Sequence, residues 1–180
     1  MAYNQRTKRQ LAIIKKIFQT ARNEDKFIFI KGGWNIDLNF GKITRDHQDI
    51  DFHFDKKDAE SWKDWFKQHG FEIEEKNEWS LIFSLGGISI DFEAVQLSGQ
   101  KIVWKQGHAS EISEVVEEGK YLGTTYKRMK LDVEKYLKQK SAKEGKKLRK
   151  KDLHDLALIK QIKNGKTHSG RKTSRNRKKR

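Results

Sequence analysis

A chain of 180 residues suffices for one compact domain, or a domain with a small helical appendage; 34% hydrophobic and 36% charged residues make it polar, with five Trp and ten Phe as bulky core material. The absence of cysteine excludes disulfides, thiolate zinc sites and a cysteine nucleophile, and leaves metals to oxygen or imidazole ligands. No run approaches the about 18 apolar residues that would span a bilayer, and the first ten residues lack the apolar region of a secretory signal. The chain therefore reads as cytoplasmic, without a membrane partner.

The net charge of +15 is unevenly spread. Residues 140–180 hold 17 Lys or Arg against three acids, a net of +14, so residues 1–139 carry only +1. Within that basic end, Lys166 to Arg180 has no sizeable apolar side chain and cannot bury a face, which predicts a disordered tail. Such a tail serves either as a solvated terminus or as a contact for nucleic acid or another acidic surface.

In chain order, Leu11, Ile13, Ile14, Ile17, Phe18 and Ala21 fall at helical spacing, and Phe27 to Lys31 is a short β-branched and aromatic run suited to a strand. Gly32 and Gly33 punctuate it, a short helix is expected over Asn35 to Phe40, and Asp49 to Phe54 alternates as a half-buried strand. Ala59 to His69 carries Trp62, Trp65 and Phe66 at helical spacing up to Gly70, after which Phe71 to Glu75 alternates again. Leu81, Phe83 and Leu85, then Gly86-Gly87, then Ile88, Ile90 and Phe92 predict a hairpin. A last strand is expected at Lys101 to Trp104, and everything beyond Ala109 reads as helical.

The chemistry concentrates on two strands. In Asp49-Ile50-Asp51 the period of two aims both carboxylates at one face, and in Ser89-Ile90-Asp91-Phe92-Glu93 the same period pairs Asp91 with Glu93. Each strand alone is also what a wet edge strand shows. Three acids held close repel one another unless a cation sits between them, and oxygen-only ligation favours Mg²⁺ or Mn²⁺. Upstream, Gly32 and Gly33 before a helix permit close approach of a phosphate, with Arg45 available to clamp its oxygens. A phosphate cradle beside a metal site suits phosphoryl transfer. Trp34 reads as core; His47 either orients the loop or touches phosphate.

The run Gly32-Gly33-Trp34-Asn35-Ile36-Asp37, then Gly41, then Thr44-Arg45-Asp46-His47-Gln48-Asp49-Ile50-Asp51 resembles the GGW-x-x-D, G, TR-x-H-x-D-x-D signature of the lincosamide and aminoglycoside nucleotidyltransferases, within the polymerase-β-like nucleotidyltransferases. Asp91 and Glu93 resemble the family's third-carboxylate strand, and Lys151-Asp152 with Asp155 is similar to its KD-x-x-D helix. The resemblance implies an α+β fold: a small mixed-sheet nucleotidyltransferase core flanked by helices (1–106), a C-terminal helical segment (107–165) and the basic tail (166–180). It implies metal at Asp49, Asp51 and Asp91, donor nucleoside triphosphate at Gly32, Gly33, Arg45, His47 and Lys151, and transfer of a nucleoside monophosphate, AMP from ATP, to a small-molecule hydroxyl. Asp91 or Glu93 is the expected general base, and Asp37 contacts the acceptor or orients the glycine turn. An RNA or protein acceptor, reached through the tail, is the alternative.

Overall fold

The structure, a computed structural model, describes residues 3–145 and 147–165. Helix α1 (Gln5–Asn23) starts where the Asn4 side chain accepts the Thr7 N–H at 2.8 Å, and buries a stripe of Ile14, Ile17, Phe18 and Ala21. Strand β1 (Ile28–Lys31) runs without a loop into α2 (Gly32–Phe40), so the two glycines form the first turn of that helix, three residues earlier than its expected start. Strand β2 (Asp49–Asp55) returns antiparallel to β1, and a 3-10 turn leads to α3 (Ala59–Gln68). Strands β3 (Glu72–Asn77), β4 (Ser80–Leu85) and β5 (Ile88–Ser98) follow as a meander. Short strands β6 (Lys101–Val103) and β7 (Ala109–Glu111) fold back on the end of β5.

The expectation of helix throughout the chain beyond Ala109 is corrected. After the single-turn α4 (Ile112–Val115), strands β8 (Val116–Tyr121) and β9 (Thr124–Met129) form a hairpin, and β9 pairs parallel to β1. The turn, Leu122-Gly123, has φ of 46° and 77°. Both values are positive, as a two-residue hairpin requires, but a leucine in the first position hides the turn from sequence reading. Helices α5 (Leu131–Lys143) and α6 (Lys150–Lys163) then complete the described chain. The basic tail at 166–180 lies outside the described residues.

The main sheet has the order β3-β4-β5-β2-β1-β9-β8 and is mixed, since β2/β5 and β1/β9 are parallel. One face is dry: Ile50, Phe52, Phe54, Phe83, Ile90 and Phe92 pack against α1 and against Trp62 and Phe66 of α3. The opposite face holds a smaller cluster of Phe29, Val95, Ile102, Val115, Val116 and Met129, which leaves part of the sheet open. α2 is clamped between the sheet, through Trp34 and Leu38, and α6, through Ile36 and Phe40 against Leu158 and Ile159. No helix among the described residues is long and apolar enough to cross a membrane.

Candidate active site

Parallel pairing of β2 with β5 sets Asp51 opposite Asp91, Asp49 opposite Ser89 and His53 opposite Glu93. Since alternate side chains share a face, Asp49, Asp51, Asp91 and Glu93 all point away from α1 and α3, as the spacing predicts. These carboxylates oppose one another. Burial pushes the Asp51 carboxyl up to about 7, with Asp49, Asp91 and Glu134 adding repulsion and Lys31 opposing. Asp91 is raised too, first by burial and then by Asp49, against Lys76 and Lys31. Glu93 differs, because Lys31 Nζ donates to its carboxylate. His53 is held neutral by burial and by Lys31, with Nδ1 at 3.1 Å from the Glu93 carbonyl. Among the described residues no three His, Asp or Glu side chains are gathered tightly enough to enclose an ion by themselves, so the acids form an open face rather than a cage.

The glycines are needed for space. A Cβ on Gly32, whose φ is +71°, would lie 2.5 Å from Asp51 Oδ2, and one on Gly33 would overlap the Arg45 guanidinium and stand 2.8 Å from His47 Nδ1. Asp37 organises this corner: it accepts the Thr44 N–H at 2.9 Å and the Thr44 hydroxyl at 2.6 Å, and pairs with His47 Nε2 at 2.8 Å. Only 1% of Asp37 is exposed and its carboxylate is engaged by Thr44 and His47, which favours its reading as a residue that orients the glycine turn. His47, packed against Trp34 with ring centroids 4.5 Å apart and tilted by 31°, is likewise buried.

Arg45, expected at the donor phosphates, already has partners on the protein. Its fork, read as a phosphate clamp, closes on Asp155 with Nε and Nη2 at 3.1 and 3.2 Å, while Nη1 donates to the Asp46 carbonyl. Asp155 and Asp152 come from α6, and Lys138 of α5 bridges both at 2.9 and 3.1 Å. The same helix α5 sends in Glu134, fully buried, which accepts the Gly32 N–H at 2.6 Å and the Asn35 amide at 2.9 Å. The backbone donor of Gly32 is thus taken by Glu134. Lys151 is half-buried in the first turn of α6, and the cation that interacts with the charge of Asp49 is Arg149, just before that helix, held by Asp152 at 2.7 Å. Lys31, Glu134, Lys138 and Arg149 were missed from the sequence. A basic run at 149–151 could have flagged Arg149, but nothing local marks Glu134 and Lys138 as inward-facing.

Beside the acids, on the same face, a cleft of about 1040 Å³ opens between α5 and the β6–β7 tip, with Lys31, His53 and Glu93 at its inner end.

The family model for aminoglycoside-2''-adenylyltransferase matches residues 13–159. The chain belongs to that family. Over 105 residues it is 28% identical to a 2''-aminoglycoside nucleotidyltransferase of Escherichia coli, covering 58% of this chain and 55% of that protein; a protein of the same description from Klebsiella pneumoniae matches equally. The chain thus spans about half the length of the curated relatives it matches. Similar folds include the lincosamide antibiotic adenylyltransferase LnuA, lincomycin-bound (TM-score 0.71, 19% identity, 83% of this chain and 95% of that one). A second is the antibiotic-resistance factor ANT(2'')-Ia (TM-score 0.71, 18% identity, 88% and 90%). A third is ANT(2'')-Ia in complex with adenylyl-2''-tobramycin (TM-score 0.68, 20% identity, 86% and 93%). These fold matches and the family model agree on the adenylyltransferase architecture.

Proposed function

We propose that this chain is a nucleotidyltransferase that moves a nucleoside monophosphate, AMP from ATP, onto a hydroxyl of a small-molecule acceptor of antibiotic type and releases pyrophosphate. The observation that carries this reading is the in-register set Asp49, Asp51 and Asp91 on one open face, beside the glycine start of α2. Family membership and the nucleotidyltransferase activity of the relatives support it.

The donor set fits a hard divalent cation: every ligand is oxygen, and the repulsion that raises Asp51 is relieved by positive charge. An open face suits Mg²⁺, which keeps waters and substrate phosphates in its shell rather than an all-protein cage. Asp49, Asp51 and Asp91 would hold Mg²⁺ or Mn²⁺, which when bound neutralises charge on the triphosphate and the departing pyrophosphate. At Gly33 the start of α2 offers a phosphate close approach and a favourable helix dipole. Arg45 and His47 act through this turn by fixing its shape. The acceptor oxygen forms a bond to the α-phosphorus as the bond to pyrophosphate breaks, and its proton passes to a carboxylate. Asp91 or Glu93 takes this proton, and Asp91 is the better placed of the two because Lys31 Nζ already occupies the Glu93 carboxylate.

The test is incubation of the full chain with labelled ATP, GTP, CTP and UTP against a panel of antibiotics and tRNA, with and without a chelator. Label should appear on a small molecule, with ATP preferred, and vanish with the chelator. Label on tRNA alone would overturn the acceptor class; no transfer to any acceptor would overturn the activity.

A further inference from the structure

The relatives differ in acceptor, and the cleft beside Asp51 and Asp91 discriminates among acceptors by charge and by ring surface. We propose that this cleft takes a hydroxylated ring compound of low positive charge rather than a polycation, and that Tyr136 and Trp104 set the preference. The role of acceptor rests on the transferase reading; the binding preference does not.

Position comes first. His53 and Glu93 line the inner end of the cleft and stand two residues along β2 and β5 from Asp51 and Asp91, a rise of about 7 Å. A ring lodged there puts a hydroxyl within reach of the acids. Charge comes second. The cleft is lined by Lys31, Lys105 and Lys140 against Glu93 and Glu114, and Glu93 is already paired with Lys31. Multiple amines would meet a surface with more cations than anions and one anion already taken, which disfavours a polycation.

The third observation is the wall. Tyr136 and Leu137 of α5 are 61% and 42% exposed, and both face the cleft. Across it, Trp104 is held by an edge contact to His53 (5.2 Å between ring centroids, 80°), by stacking with His108 at 5.9 Å, and by a bond from Nε1 to the Ser110 hydroxyl at 3.3 Å. Exposed apolar surface in a concave site marks a ligand position, and aromatic walls suit the apolar face of a sugar or similar ring.

The test is equilibrium binding without nucleotide, followed by tryptophan fluorescence since Trp79 and Trp104 both line the cleft. The probes are lincomycin, a glycoside with one amine charge, and tobramycin, a polycation. Lincomycin should bind about 10-fold tighter at 0.15 M salt, roughly 1.4 kcal/mol, with weak salt dependence. Tyr136→Ala should weaken lincomycin by about 10-fold, the loss expected of an exposed aromatic anchor, and leave ATP binding unchanged. The double variant Lys105→Glu, Lys140→Glu should tighten tobramycin, with an effect that fades at high salt. Tighter tobramycin binding by the wild type, no binding of either probe, or an inert Tyr136→Ala would overturn the inference. Transfer assays on the same samples separate the two readings. Lincomycin bound but never labelled removes the transferase and keeps the preference; tobramycin labelled without lincomycin binding does the reverse.

Discussion

Asp51 and Asp91 on the sheet and Asp152 and Asp155 on α6 are the same side chain in opposite surroundings. The sheet pair faces other acids across a partly buried surface and is pushed upward, Asp51 to about 7. On α6, Asp152 is driven well below the usual carboxylate range by its bonds from Arg149, and burial of Asp155 is outweighed by Arg45 and Lys138. Every oxygen of the second pair has a cation to accept from, whereas the first is left with burial and repulsion that Lys31 and Lys76 only partly oppose. A carboxylate cluster that costs stability is a candidate for chemistry, and one that contributes stability is scaffold.

That contrast breaks most sharply on removal of one charge from each cluster. Asp51→Asn should lower transfer by about 10³-fold or more, as expected for loss of a metal ligand, while the melting temperature stays level or rises. A variant that transfers at near wild-type rate would remove Asp51 from the chemistry. Asp155→Asn should behave the other way: it deprives Arg45 of its carboxylate, leaves Lys138 with Asp152 alone, and should cost about 3 kcal/mol of stability in urea titration, the low end of the usual loss for a broken buried ion pair. An unchanged urea midpoint would show that this network does not support the glycine turn.

The turn itself gives an intermediate effect. Gly33→Ala forces Arg45 and His47 to move and should cost about 1–3 kcal/mol, as small-to-large changes in packed sites do, with a matching rise in KM for ATP. Normal nucleotide kinetics in that variant would place the phosphates elsewhere.

The gentlest probe is pH, where the clusters oppose each other in sign. Asp51, Asp91 and Glu134 have raised folded-state values, so the metal-free fold binds more protons than the unfolded chain and gains stability as pH falls from about 7 towards about 4. Asp152 and Asp155 have depressed values, so their contribution is present above about 3.9, the ordinary carboxylate value, and is lost as pH falls below it. Urea midpoints should therefore pass through a maximum on the acid side of neutrality, with an amplitude on the order of 1–2 kcal/mol once solvent relaxation is allowed for. Saturating Mg²⁺ should flatten the upper limb alone. A monotonic profile would contradict the division of roles.

The sequence by itself determined the elements whose periods are local. α1, β2, α3 and the β4–β5 hairpin stand where spacing put them, and the alternation of Asp49, Asp51, Asp91 and Glu93 already fixed which side chains share a face. The glycine-tryptophan run was legible as a place of close backbone approach, whereas its crowding by Asp51, Arg45 and His47 emerged only from the packed turn. What tertiary structure alone decided is what meets across long separations. Parallel register of β2 with β5 brings Asp51 to Asp91, the leucine-led β8–β9 hairpin joins the sheet against its own helical reading, and α5 and α6 deliver Glu134, Lys138 and Asp155 to a corner about 100 residues upstream. These contacts depend on packing and hydrogen bonding between elements, which leave no period in the chain, so a charged side chain on a helix reads as solvent-facing until its partner is in place.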